Sequence, residues 1–364
     1  MKPVVTHRRA RLVEAMADGG LDALVLYGNA WQNDYLRYAA DFGILEGQAF
    51  AIARRDGAVT LYLDSPLEAD RAALECAGIE VVRAGDLVGA VESALNLLRD
   101  WRIGGAPYRL LPRRIAACKG LSDETAFLDR LLMTKLDSEI DAVRRAARLA
   151  DQGYAVFRQS ARAGRADYEL IADVEAFYRA NGVDDNFQII GVGGPDVRGM
   201  TPPSGKRLKP GDLVTTELTP CVDGYYCQIC RTLVVGEPNA EQLAAHALYR
   251  EAMEAGLAAV RDGVSAADIA RAENAVFRRH GLGDYVTSQY TRVRGHGIGL
   301  FADSKPHLLE SVTTRIDRGM ALIVHPNTYH PAVGYMVLGD ALVVTSDGCD
   351  VLTGTARELF RVPA

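Results

Sequence analysis

The 364-residue sequence contains no apolar run that approaches the ~18 residues a membrane span needs. Its opening stretch, MKPVVTHRRARLVEAMADGG, turns polar where a secretory leader would be apolar, so a cytoplasmic protein is expected. Lys/Arg-rich runs are absent, and a formal net charge of -6 sets up no basic field for nucleic acid. The cysteines are only Cys76, Cys118, Cys221, Cys227, Cys230 and Cys349. Six thiols scattered over so long a chain are no disulfide framework, and a reducing compartment would keep them free. Repeats of solenoid period and low-complexity segments are also missing. These absences exclude nucleic acid and membrane as partners and leave a small-molecule substrate.

What is present is an ordinary globular balance, 48% hydrophobic and 24% charged. The length suits two domains of roughly 130 and 230 residues. We place an α/β domain at 1–133 and a second, α+β domain at 134–364. In the first, an amphipathic stretch to Ala17 leads to the strand DALVLY, and the apolar runs QAFAIA and AVTLYL flank Asp56-Gly57 as a hairpin. SPLEADRAALECAG reads as a helix and IEVVRAG as a strand, and YRLLPRRIA near residue 110 is expected to end the sheet. The second domain opens on a long helix, with Ser138 and Asp141 as a capping box and Ile140, Val143, Ala147, Ala150, Tyr154 and Phe157 at three/four spacing. Further helices are predicted at about 166–181, 240–261 and 265–280, the last capped by Ser265 and Asp268. Asp223-Gly224 predicts a two-residue hairpin turn that sets Thr219 opposite Gln228 and Glu217 opposite Cys230.

Four stretches then carry a resemblance: KPGDLVTTELTPCVDGYYCQICRTLVV, RGHGIGLFADSKP, RGMALIVHPNTY and YMVLGDALVVTSDGCDVLT. In order and spacing the chain resembles the creatinase/prolidase/methionine aminopeptidase superfamily over nearly its whole length. The resemblance implies an α+β, pita-bread C-terminal domain behind an α/β, creatinase-type N-terminal domain. The metallopeptidases of that superfamily hold two divalent ions with five ligands, and the matching positions here read Glu217, Gln228, His296, His325 and Gly339. One carboxylate and two neutral imidazoles leave most of the charge of two dications uncompensated. A di-metal centre is therefore not expected. Two proton-handling histidines of the peptidases are matched by Met200 and Asp303. The GYYCQICRTL hairpin is more similar to creatinase, although creatinase has a histidine at Met200 and glutamates at Cys230 and His325.

Chemistry narrows the candidates further. A carboxylate beside a thiol raises the thiol pKa, so Cys230 needs help to act as a nucleophile; the alternative is a small buried hydrophobe. Cys227 and Cys230 stand at odd spacing along a strand, which sends them to opposite faces and argues against a redox or zinc pair. His296 lies between Gly295 and Gly297, an arrangement that lets backbone approach closely. His325 precedes Pro326 and is biased to an extended conformation. Buried Glu217 demands a partner.

The resulting expectation is a metal-independent, creatinase-like hydrolase or lyase acting on a C–N or related bond of a small nitrogenous metabolite. His296, His325 and Glu217 would be catalytic, and Gln228, Cys230, Asp303, Met200 and Tyr35 would contact substrate. No cofactor is expected in that reading. One alternative is a mononuclear enzyme holding one divalent metal ion, such as iron, on Glu217, His296 and His325. Another is a catalytically inert binding module. The resemblance also implies a homodimer, with NAWQNDYLRYAADF as a lid offering Trp31, Tyr35 and Tyr38 to the partner's pocket.

Overall fold

The structure is a computed structural model that describes residues 3–364. The chain divides into two compact units, Met1–Leu132 and Met133–Ala364. Among the described residues no helix is long and apolar enough to cross a membrane.

The first unit runs α1 Pro3–Asp18, β1 Ala23–Asn29, α2 Asp34–Ala40, β2 Gln48–Arg54, β3 Val59–Leu63, α3 Pro66–Glu75 and β4 Glu80–Arg83. It continues α4 Leu87–Leu97, β5 Ile103–Ala106, α5 Arg113–Ala116, β6 Leu121–Asp123 and α6 Thr125–Met133. The strands form one sheet in the order β4-β3-β2-β1-β5-β6. The expected hairpin is β2–β3, an antiparallel pair turning through Gly57 at φ +89°. The sheet does not end near residue 110: β6 adds to the edge of β5 in parallel. Its three residues are too short to stand out as a periodic run. The segment proposed as a lid is mainly α2, whose Leu36, Tyr38, Ala39 and Ala40 are buried. Tyr38 is a core residue with the Arg8 guanidinium over its ring, whereas Trp31 is 91% exposed.

The second unit comprises α7 Asp137–Ser160, α8 Asp167–Ala180, β7 Asp185–Gly193, β8 Leu213–Val222, β9 Tyr225–Tyr226, β10 Ile229–Val235, α9 Ala240–Ala259 and α10 Ala266–Arg279. The strands β11 Gly295–Gly297, β12 Ser304–His307, β13 Ala321–Val324, β14 Thr328–His330, β15 Gly334–Met336, β16 Gly339–Val344, β17 Cys349–Val351 and β18 Phe360–Val362 complete it. The main sheet has the order β12-β11-β13-β16-β10-β8-β7, and β14–β15 is a separate hairpin.

Each predicted helix of this unit forms. In α7 the periodic residues Ile140, Val143, Ala147, Ala150, Tyr154 and Phe157 are all buried, and Tyr154 and Phe157 pack in one core with Leu218, Ile229 and Leu233 of the sheet. Burying an aromatic of this size contributes about 1.5–3 kcal/mol, so this stripe fixes the helix to the strands that carry the site. Its cap differs from expectation. Glu139 accepts from the Leu136 N–H at 2.9 Å, and Ser138 lies within the first turn with its hydroxyl unpartnered. The glutamate side chain is long enough to reach back across the turn and take the role assigned to Ser138 and Asp141. Ser265 and Asp268 do cap α10 as a reciprocal box.

The β8–β9 turn follows the sequence reading. Asp223 at φ 53° and Gly224 at φ 80° are the positive pair a type I′ turn requires. The register it sets places Cys230 directly opposite Glu217. Strand β10 is then tied to β16 on the other face by a closed polar cluster. Arg231 donates to Asp340 at 2.6 Å and to the carbonyls of Cys230, Gly339, Thr355 and Ala356. Asp340 also accepts from Thr353 and Arg357.

Candidate active site

The strands converge on a cavity of about 530 Å³ whose wall includes Glu217, Gln228, His296, Asp303, His325 and Met200. Strand β8 brings Glu217, the β9–β10 connection Gln228, β11 His296, the end of β13 His325, and loops Met200 and Asp303.

The glycines around His296 have a clear cause. A Cβ on Gly295 would meet the Ile323 carbonyl at 2.1 Å, and one on Gly297 would meet the Lys305 carbonyl at 2.2 Å. Neighbouring strands press on both sides, so only glycine holds the histidine there. His296 Nδ1 lies 2.9 Å from the Gly297 carbonyl, which can only accept. Nδ1 therefore carries the proton and Nε2 is left as an acceptor. Burial lowers the pKa of His296, against the raising influence of Asp303. His325 stands with its ring centroid 5.6 Å away, and its Nδ1 is buried with no partner. Burial, then the neighbouring His296, drive it down to about 3, so this imidazole is neutral.

Glu217 is partly exposed on the cavity wall yet held out of bulk water. Desolvation pushes its carboxyl up to about 7, opposed by hydrogen bonds from Cys230 and from Asn327, whose Nδ2 donates at 2.9 Å. The Leu338 N–H donates to Asn327 Oδ1 at 3.0 Å, which fixes the amide so that its NH₂ faces Glu217.

Cys230 does not reach the cavity, and Asp303 and Tyr35 have partners of their own. Cys230 is fully buried behind the wall, accepting from Gln228 Nε2 at 3.6 Å, and is not among the cavity-lining residues. Burial, then the Glu217 charge, raise its thiol well above the usual range, so it is protonated and hydrogen-bonds the carboxylate. Asp303 lines the cavity, but its oxygens are taken by Arg292 and by His307, the latter at 2.9 Å. Although burial works against it, these donors and the nearby His296 hold the carboxyl below its ordinary value. Tyr35 donates to Asp129 within the first unit. Among the described residues, no three His, Cys, Asp or Glu side chains are grouped so as to hold a metal ion, the set Glu217, His296 and His325 included. At the fifth position of the resemblance, a Cβ on Gly339 would stand 2.7 Å from His325 Cβ and 3.1 Å from Cys230 Sγ.

Sequence reasoning missed Asn327, Arg198, Arg292 and Tyr335, which also line the cavity. Asn327 lies two residues beyond His325, in the same VHPN segment, and that proximity was the one available signal.

Comparison with known proteins places the fold in a family. The model of metallopeptidase family M24 matches residues 141–346, more than half of the chain. The Xaa-Pro dipeptidase of Pyrococcus furiosus is 29% identical over 233 residues, covering 64% of this chain and 65% of that protein's length. The X-Pro aminopeptidase structure from Thermotoga maritima superposes with a TM-score of 0.87 at 22% identity, over 97% of this chain and 99% of that one. Dipeptidase PepE from Mycobacterium ulcerans does so at 0.80 and 26% identity, over 99% and 98%. The α+β, pita-bread fold with its N-terminal domain is thus the one these structures share. The expectation of a metal-independent, creatinase-like hydrolase or lyase is overturned, because the relatives carry the names of dipeptidases and aminopeptidases rather than of C–N lyases. The chain belongs to metallopeptidase family M24.

Proposed function

We infer that the chain is a hydrolase of short peptides that binds its substrate in the Glu217–His296–His325 cavity. The observation that carries this reading is Glu217 itself, an enclosed carboxyl poised at about 7 on the wall of the cavity that His296 and His325 also line. A general base works best when its pKa lies near the operating pH. Glu217 would take a proton from water as the water oxygen bonds to the peptide carbonyl carbon. As the C–N bond breaks, the same carboxyl returns that proton to the leaving amine. His325 and Gln228 line the same cavity and would offer hydrogen bonds to the substrate. Dipeptidase names among the relatives support a short substrate.

The family's name implies metal, and the side chains of this chain do not fit a two-ion centre. Gly339 has no room for a carboxylate while His325 and Cys230 hold their places, and one carboxylate with two imidazoles offsets little of the charge of two dications. The test is a panel of dipeptides, including Xaa-Pro, incubated with the purified protein with and without added manganese, cobalt and zinc. Release of free amino acids in either condition, lost in Glu217→Gln, is expected. A panel left intact in both conditions overturns the reading.

A further inference from the structure

We propose that Arg198 holds a carboxylate of the substrate, so that the cavity selects anionic ligands. This deepens the peptide-hydrolase reading and rests on it.

Four charged side chains reach the cavity: Arg198, Glu217, Arg292 and Asp303. Arg292 and Asp303 neutralise each other, with His307 bonded to the same carboxylate. Glu217 is occupied by Asn327. Arg198 alone of the four has no hydrogen-bond or ion-pair partner among the described residues, while its guanidinium lies 4.7 Å from the centroid of the Tyr329 ring. Stacking of this kind uses the flat face of the guanidinium and leaves its N–H edge free, the edge that matches a carboxylate in a two-point contact.

The platform beneath Arg198 is rigid. Tyr329 is 6% exposed, stacks on Tyr290 at 5.7 Å and 19°, and donates its hydroxyl to the Pro195 carbonyl at 2.9 Å. The Tyr335 N–H donates to the Val197 carbonyl at 2.8 Å. At Gly334, φ +95°, a Cβ would meet the Gly194 carbonyl at 2.1 Å, so the loop carrying Arg198 is pressed directly onto the β14–β15 hairpin. Both the loop and the ring under the guanidinium are therefore anchored before any ligand arrives. A cation held in place loses less freedom on binding than a mobile surface arginine, which raises its worth to a ligand.

The test is calorimetric, on protein carrying Glu217→Gln so that nothing is cleaved. Alanyl-proline is compared with its C-terminal amide, which has the same shape without the negative charge. The acid is expected to bind about tenfold or more tightly than the amide, the range of one charge-assisted contact. Arg198→Gln is expected to erase that preference and Arg198→Lys to keep part of it, since lysine retains the charge without the planar edge. An exposed loop residue can be changed in this way without loss of the fold. Equal binding of acid and amide, or an acid preference that survives Arg198→Gln, overturns the proposal while leaving the peptide cavity standing. If neither dipeptide binds, the peptide reading fails instead, and succinate is titrated. Succinate bound by the protein and lost in Arg198→Gln sustains the anion site, and no succinate binding overturns it.

Discussion

Two buried polar clusters occupy opposite faces of the same strands. On β10, Cys230 turns toward Glu217 and the cavity, and the next residue, Arg231, turns to Asp340. On β16, Gly339 faces the cavity side and Asp340 the other. Period-two alternation divides them. In the Arg231–Asp340 cluster every guanidinium nitrogen donates and both carboxylate oxygens accept. On the cavity side, His325 Nδ1 has no partner among the described residues and the Glu217 carboxyl is pushed up to about 7. A saturated cluster is a fastening. One with open valences, facing a void, is where a ligand completes the bonding.

The largest effect should come from breaking the fastening. Asp340→Ala strands Arg231, itself without solvent exposure, and is expected to cost about 3–5 kcal/mol in chemical denaturation. Wild-type stability in that variant would place the cluster outside the fold's essential bonds. On the cavity face, Glu217→Gln should leave stability at neutral pH nearly intact but cut peptide turnover by about a hundredfold or more. The sign of its pH effect also differs. Because the folded carboxyl is raised from 4.5 to about 7, its contribution is full below 4.5 and is lost as pH rises through 7. Glutamine mimics the protonated form, so urea midpoints measured from pH 4 to 8 should fall less steeply between 4.5 and 7 in the variant.

Gly339→Ala probes the seam between the two clusters. Its new methyl meets His325 and Cys230, and a loss of about 1–3 kcal/mol is expected from overpacking, together with a shift in the His325 imidazole resonances. The smallest effect belongs to a histidine outside both clusters. Burial, then neighbouring arginines, drive His246 down to about 4. A base depressed in this way contributes stability above 6.5 that is lost as pH falls through 4. His246→Leu should flatten that acid limb in thermal melts, and an unchanged limb would assign it to other groups.

Much of the scaffold was legible in the chain. Turn chemistry at Asp223-Gly224 was enough to pair Glu217 with Cys230, because a two-residue type I′ turn leaves no freedom of register. The glycines around His296 announced the close strands that press on them. Partners brought together from distant segments were not legible. Nothing local to Asn327 says that Leu338 will orient its amide toward Glu217, and nothing near Asp303 says that Arg292 and His307 will consume it. The α7 cap was misplaced by the smallest of margins, since serine and glutamate both cap and only geometry chose between them. The resemblance of one hairpin ran toward creatinase, whereas the wider likeness runs to dipeptidases.

Gly339 also constrains how this site can change one mutation at a time. Glutamate there collides with His325, and exchanging His325 for glutamate while Gly339 stays leaves a second buried acid facing Glu217 with no cation to balance it. Each single step is worse than either end point, so positions 325 and 339 behave as a latch that opens only when both are turned together.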